Sequence, residues 1–261
     1  MASYETLIVE RLEGFAVVTL NRPPANAISA QLVLELEAAV AEFEGDGGVR
    51  AVIITGAGDR IFCGGADLGS AFSGGASDDL EAFLRRGNAM LRRIEAGSKP
   101  YIAAIQGHAT GGGCEIAMAC HLRVMKETAR IGQTESNLGI IPGFWGTQRL
   151  PRLIGRTKAL EYLILGTQMP AADALALGLV NRLAKEGETL NEAKAIARAI
   201  AQRAPVATRL ILRCVDQGLN GTIDQGIEGE VRAFCEVLQT EDAAEGIQAF
   251  FAKRPAEFKG R

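Results

Sequence analysis

Short β-rich apolar runs alternate with longer amphipathic stretches through the first half of this chain, and that alternation restricts the fold more than any other feature. Residues 6–9 and 15–20 are strand-like runs around Glu13-Gly14, the pattern of a hairpin. Pro23-Pro24 closes it. Ser29 is placed to cap a helix in which Leu32, Leu36, Ala39, Val40 and Phe43 form one stripe at helical spacing. Residues 49–55 read as a buried strand, 78–95 as a helix, 101–105 as a strand, 112–120 as a helix and 122–125 as a strand. The order ββα, βα, βα argues for an α/β fold.

The last third changes character, and residues 188–203, 205–218, 223–238 and 242–252 read as helices with little strand between them. Residues 1–200 are therefore expected to form the core, and 201–261 a helical appendage of the kind that packs against other subunits. A chain of 261 residues can bury a core without disulfides or metals. Five cysteines with no C-x-x-C pair read as reduced core residues, and two histidines cannot build a His-rich metal site. The longest stretch free of charged residues has 15 members, 100–114. That is too short and too rich in glycine for a spanning helix, and the N-terminus lacks the pattern of a signal peptide. A cytoplasmic protein is expected.

Glycine is the informative excess, 31 of 261 residues, about 12% against a usual ~7%. Its densest cluster lies in Ile102-Ala-Ala-Ile-Gln-Gly-His-Ala-Thr-Gly-Gly-Gly-Cys-Glu115, where a strand runs into three glycines and a helix opens. A helix N-terminus offers unpaired N–H groups and partial positive charge. Gly112, without a Cβ, lets a ligand oxygen reach its N–H, and Glu115 lies three residues on, on the same face. The alternative is plain packing, with Gly111–Gly113 as a tight joint and Glu115 as a dipole partner. Neither a G-x-G-x-x-G dinucleotide fingerprint nor a phosphate loop is present.

This segment, with Gly132-Gln-Thr-Glu135-Ser-Asn-Leu-Gly-Ile-Ile-Pro-Gly143 and Gly146-Thr-Gln-Arg-Leu150, closely resembles the enoyl-CoA hydratase/isomerase (crotonase) family. Phe62-Cys-Gly-Gly-Ala66-Asp67-Leu68 and Asn21-Arg-Pro-Pro-Ala-Asn-Ala27 match further hallmark segments, and the likeness extends over essentially the whole chain. The resemblance implies a spiral of ββα units with a C-terminal helical region used in homotrimers, often paired into hexamers. It implies reversible hydration of a trans-2-enoyl-CoA, as in fatty-acid β-oxidation, with CoA arriving on the substrate and no cofactor or metal.

By that resemblance, the Ala66 and Gly112 N–H groups form an oxyanion hole, where each donor is worth about 3–4 kcal/mol. Glu115 and Glu135 match the two catalytic glutamates that hold one water. General acid–base help of this kind is worth roughly 10²–10⁴ in rate. Ala25, Ala66, Asp67, Leu68 and Gly112 match substrate-binding positions, and Phe250 and Lys253 match C-terminal positions that reach a neighbour's CoA. Retention of both glutamates favours hydration over Δ3,Δ2-enoyl-CoA isomerisation, for which the second alone commonly serves. Gly69 replaces a common lysine and puts one CoA contact in question.

Trp145 replaces a small residue and is expected to cap the core rather than narrow the acyl pocket. Asp67 is expected to cap a helix, and His108, Cys63 and Cys114 to be buried packing residues. Arg85, Arg86, Arg92 and Arg93 share one helical side, which leaves a non-catalytic acyl-CoA or RNA-binding module as the rival reading. The net charge of −3 and a pI near 5.6 argue against nucleic acid, and a solvated face is expected.

Overall fold

The computed structural model describes residues 3–67, 69 and 77–261, the side chains of 77–79 excepted. A six-stranded sheet has the order β1-β2-β3-β5-β7-β10, formed by Leu7–Leu12, Phe15–Leu20, Ala51–Gly56, Tyr101–Ile105, Leu122–Lys126 and Arg182–Ala184. β1 pairs antiparallel with β2, and the remaining neighbours are parallel. A second sheet has the order β4-β6-β8-β9, from Ile61–Cys63, His108–Thr110, Arg130–Gly132 and Met169–Pro170. Each of β3, β5 and β7 is thus followed directly by a strand of the second sheet, which is the repeated ββα pattern.

Parallel strands need cover on both faces, and the alternation of side chains supplies it. Ala16, Val18, Val52, Ile54, Ala103 and Ile105 face the main core, which includes helix α1 (Ala30–Gly45). Phe15, Val17, Ala51, Ile53, Ile102 and Ala104 face Ala193 and Ala197 of α7 (Thr189–Ala201). The expected Ser29 cap is present, its hydroxyl accepting from Leu32 N–H at 3.2 Å. Helix α2 (Ser77–Glu95) buries Met90, Leu91 and Ile94. Helix α3 (Gly112–Ala119) is buried along its whole length.

The interior end of α3 is held by Arg123. Its buried guanidinium donates to the carbonyls of Ala117 (3.2 Å), Cys120 and Leu179 (2.6 Å), a cation on the negative end of a helix. Further along are α4 (Gly146–Ile154), α5 (Arg156–Leu165) and α6 (Ala171–Ala176). The chain then forms α8 (Pro205–Asn220), α9 (Ile223–Val237) and α10 (Glu241–Ala252), close to the four helices read from the sequence. The tail returns to the core, with Arg50 donating to the carbonyls of Ala201 and Phe258 at 2.8 and 2.9 Å.

Several sequence expectations are corrected. Cys63, Cys114 and Cys120 are buried, but Cys214 is half-buried and Cys235 exposed, because the C-terminal helices carry much of their apolar surface outward. His108 is exposed rather than packed inside; it sits at the start of β6 and its Nδ1 accepts from Arg130 N–H at 3.1 Å. The arginine side of α2 is solvated at Arg85, Arg86 and Arg93, as expected, and also meets carboxylates of the same chain. Arg86 and Arg93 meet Glu37 at 2.9 and 3.5 Å, Arg85 meets Glu81, and Arg92 makes a two-pronged contact to Asp216 at 2.6 and 2.7 Å. Among the described residues no helix is long and apolar enough to cross a membrane.

Replacing Arg123 by Met removes the guanidinium donor from four buried carbonyls, those of Ala117, Met118, Cys120 and Leu179. Hydrogen bonds to charged groups are worth about 1.5–3 kcal/mol, so urea unfolding of the variant is expected to show a loss of about that size. A midpoint unchanged from the parent would contradict the anchoring role.

Candidate active site

The strand-to-helix joint at residues 105–115 sets the site. Gly111 precedes α3 with φ +54° and ψ −126°, a backbone geometry open to glycine and strained for other residues. Gly113 is the packing joint, since a Cβ there would stand 2.1 Å from the Cys63 carbonyl oxygen. Gly112 faces the cavity between them. The packing reading of the triple glycine thus applies at Gly113, while Gly112 lines the cavity.

The Ala66 segment is stitched against Ile28, with Ile28 N–H donating to the Gly65 carbonyl (2.8 Å) and Asp67 N–H to the Ile28 carbonyl (2.9 Å). This bridge turns the Ala66 N–H away from Ile28, and its nitrogen lies 3.5 Å from where a Cβ on Gly112 would stand. Among the described residues, no backbone hydrogen bond uses the Ala66 or Gly112 amide as donor. Two free donors thus share one corner of a cavity of about 300 Å³ whose walls include Glu115, Glu135, Leu84, Ile140 and Phe144.

Glu115 is 1% exposed. Its Oε1 accepts from Phe144 N–H at 2.8 Å and Gly146 N–H at 2.7 Å. Burial, reinforced by the charge of Glu135, pushes its carboxyl up to about 8, against the pull of those two N–H groups and of the Arg149 guanidinium. Glu135 opens a 3₁₀ turn, Glu135–Leu138, and burial raises its carboxyl above the ordinary range too. Its Oε1 lies 2.9 Å from where a Cβ on Gly111 would be. Coupled acids of this kind titrate as a pair. With Glu115 pushed to about 8 and the charge of Glu135 among the causes, Glu115 is the member of the pair that holds its proton to the higher pH.

Sequence reasoning missed the groups that hold these carboxyls. Gln133 is 1% exposed; in the orientation that pairs donors with acceptors, its amide nitrogen donates to both Glu135 oxygens at 3.0 Å. No local period marked it, since Gln133 lies just past β8 and Glu135 already opens the 3₁₀ turn. Arg149, 4% exposed, donates to the Phe144 carbonyl at 2.8 Å and pairs with Glu95 at 3.2 Å.

Trp145 does not cap the core. It is 40% exposed with φ +67°, and the Arg149 guanidinium sits 5.1 Å from its ring centre. Phe144 turns inward in its place. Ala25 stands beside the cavity, its carbonyl accepting from Gly64 N–H at 2.8 Å. Asp67 pairs with Arg22, and Leu68 lies outside the described residues. Phe250 and Lys253 are exposed at the end of α10 and do not line the cavity. Among the described residues, no cluster of three or more His, Cys, Asp or Glu side chains is placed to hold a metal ion.

Residues 10–261 match the family model described as enoyl-CoA hydratase/isomerase. The chain belongs to that family. It is 44% identical over 246 residues to a probable enoyl-CoA hydratase of Bacillus subtilis, covering 94% of this chain and 95% of the relative. It is 42% identical over 257 residues to the short-chain-enoyl-CoA hydratase of Clostridium acetobutylicum, covering 98% of each. The crystal structure of an enoyl-CoA hydratase from Bacillus anthracis superposes with a TM-score of 0.95 at 36% identity, covering 98% of this chain and all of that one. The fold is the crotonase fold that the sequence resemblance implied.

Within this family site, Gln133→Leu removes two donors to the charged form of Glu135, which raises the carboxyl pKa further. Infrared spectra are expected to show the carboxylic-acid C=O band persisting to higher pH in the variant. Coincident titrations would show that the amide does not hold Glu135 ionised.

Proposed function

We propose that this protein is an enoyl-CoA hydratase, adding water reversibly across the 2,3 double bond of a trans-2-enoyl-CoA to give the 3-hydroxyacyl-CoA. The observation that carries the reading is the meeting of two unpaired backbone donors and two carboxyls, Glu115 and Glu135, in one largely apolar cavity. Hydration develops negative charge on the thioester oxygen as an enolate. The amides of Ala66 and Gly112 are set to receive that oxygen, and donors fixed in advance stabilise developing charge without reorganisation.

A water between Glu115 and Glu135 would lose a proton to the charged member of the pair as its oxygen bonds to C3. The proton held by the pair supplies the one that C2 takes up. One carboxylate and one carboxylic acid are what this addition needs, and a cofactor has no step to perform in it. The names of relatives that specify a short-chain-enoyl-CoA hydratase and a crotonyl-CoA hydratase support the same reaction.

The working form is proposed to be a cytoplasmic homotrimer or homohexamer. Outward apolar residues on the last three helices support an assembly, among them Ile211, Leu219, Ile223, Phe234, Phe250 and Phe251. Residues 201–261 would serve as the trimerisation region of a core formed by 1–200. Phe250 and Lys253 would meet a neighbour's CoA, and Ala25, Asp67 and Leu68 would contact the substrate within the same chain. Isomerisation of a 3-enoyl-CoA would use the same donors. It is separated by supplying that substrate and following double-bond migration without uptake of water.

Loss of the conjugated enoyl-thioester absorbance of crotonyl-CoA is expected to be fast in the parent protein. It should slow by at least about 10²-fold in both Glu115→Gln and Glu135→Gln. Parent activity should fall as pH rises past about 8, where the pair loses its remaining proton. Variants as active as the parent would exclude the two-carboxyl mechanism.

A further inference from the structure

We propose that Gly87, in the middle of α2 and outside the reacting groups, is a positioning residue for Glu115 that acts through the Phe144 ring; the inference rests on the hydration reading above. Glycine inside a helix is unfavourable relative to alanine, and here its absent side chain makes room for one specific neighbour. A Cβ on Gly87 would stand 2.2 Å from Phe144 Cε1, 2.9 Å from Cδ1 and 3.0 Å from Cζ. The ring therefore fills a notch in the helix.

The ring has little room to yield. On α2 it meets Phe83 edge-to-face, with centroids 5.5 Å apart and planes at 72°. On the cavity side its Cδ2 lies 3.3 Å from where a Cβ on Gly112 would be. A second tie joins the same two segments, since the Asn88 amide donates to the Gly143 carbonyl at 3.1 Å. From the opposite side, Arg149 of α4 fixes the Phe144 carbonyl. The backbone between these clamps supplies both N–H groups that Glu115 accepts. The notch thus sets where the two donors stand, and displacement of such groups by about 1 Å can cost up to 10²-fold in rate.

The test compares Gly87→Ala, Phe144→Leu and the double variant by kcat and pH profile with crotonyl-CoA. The charged and titratable groups facing Glu115 are Glu135 on the 3₁₀ turn, Arg149 on α4 and Cys114 on its own helix; Glu95 of α2 faces Arg149. None of them is altered. Gly87→Ala is expected to lower kcat about tenfold or more. It should also move the basic limb to higher pH, because Glu115 loses donors to its charged form. The smaller leucine should restore the double variant to within about threefold of Phe144→Leu alone.

A folded Gly87→Ala protein with kcat within about twofold of the parent overturns the proposal, as does an impaired one that Phe144→Leu does not rescue. Should Gly87→Ala fail to fold, Asn88→Ala decides: the same limb shift with a loss of a few fold supports the proposal, and a parental profile overturns it. Failure of the parent itself to hydrate crotonyl-CoA would instead defeat the functional reading.

Discussion

A carboxyl group buried to 1% exposure at the start of a helix is the constraint around which this structure is arranged. Removing a charge from water is costly unless it is paired and hydrogen-bonded. Glu115 meets that cost by keeping its proton to about pH 8 and by resting one oxygen on two backbone N–H groups. Those N–H groups sit at the joint where the loop at Phe144 enters α4 at Gly146, so the joint has to be fixed from outside. Helix α2 fixes it through Gly87, Phe83 and Asn88, and α4 through Arg149. Glu135, held by Gln133, then adds the charge that keeps the proton on its neighbour.

The fold serves that arrangement by supplying rigid ends. Strands β3, β5 and β7 are buried on both faces, and each hands the chain to a short strand of the second sheet before it turns toward the cavity. β4 delivers the Ala66 amide, β6 delivers Gly111 and the start of α3, and β8 delivers Gln133 and Glu135. Functional groups placed at strand ends inherit the positional precision of the sheet. The three adjacent glycines divide the work at the tightest point: one takes the left-handed turn, one opens the cavity and one lets α3 touch the Cys63 backbone.

Much of this was legible in the sequence because the long elements carry full periods of hydrophobic pattern, from the Leu32–Phe43 stripe to the four C-terminal helices. The strand–glycine–helix segment also announced its own geometry. The three-residue strands β4, β6 and β8 were not legible, since three residues cannot display a period. Aromatic choice at the 144–145 pair was misread for a related reason. Which ring turns inward depends on a glycine of α2 more than fifty residues earlier, a contact with no local trace. The arginine side of α2 was expected to be solvated and Arg85, Arg86 and Arg93 are exposed, but that Glu37 and Asp216 arrive from distant segments to pair with it had no local trace. Cys214 and Cys235 were assigned to the core on residue type alone, whereas the helices that carry them turn apolar faces outward.

The claim on which the account stands is that the two glutamates share one proton near neutral pH. Carbon-13 NMR of glutamate side-chain carboxyls, with the two resonances assigned through the Glu115→Gln and Glu135→Gln variants, measures it directly. The account predicts that Glu115 titrates near pH 8 in the parent protein and at distinctly lower pH once Glu135 is replaced, because the neighbouring charge is gone. Both carboxyls fully ionised by pH 6, with no response of one to loss of the other, would contradict it.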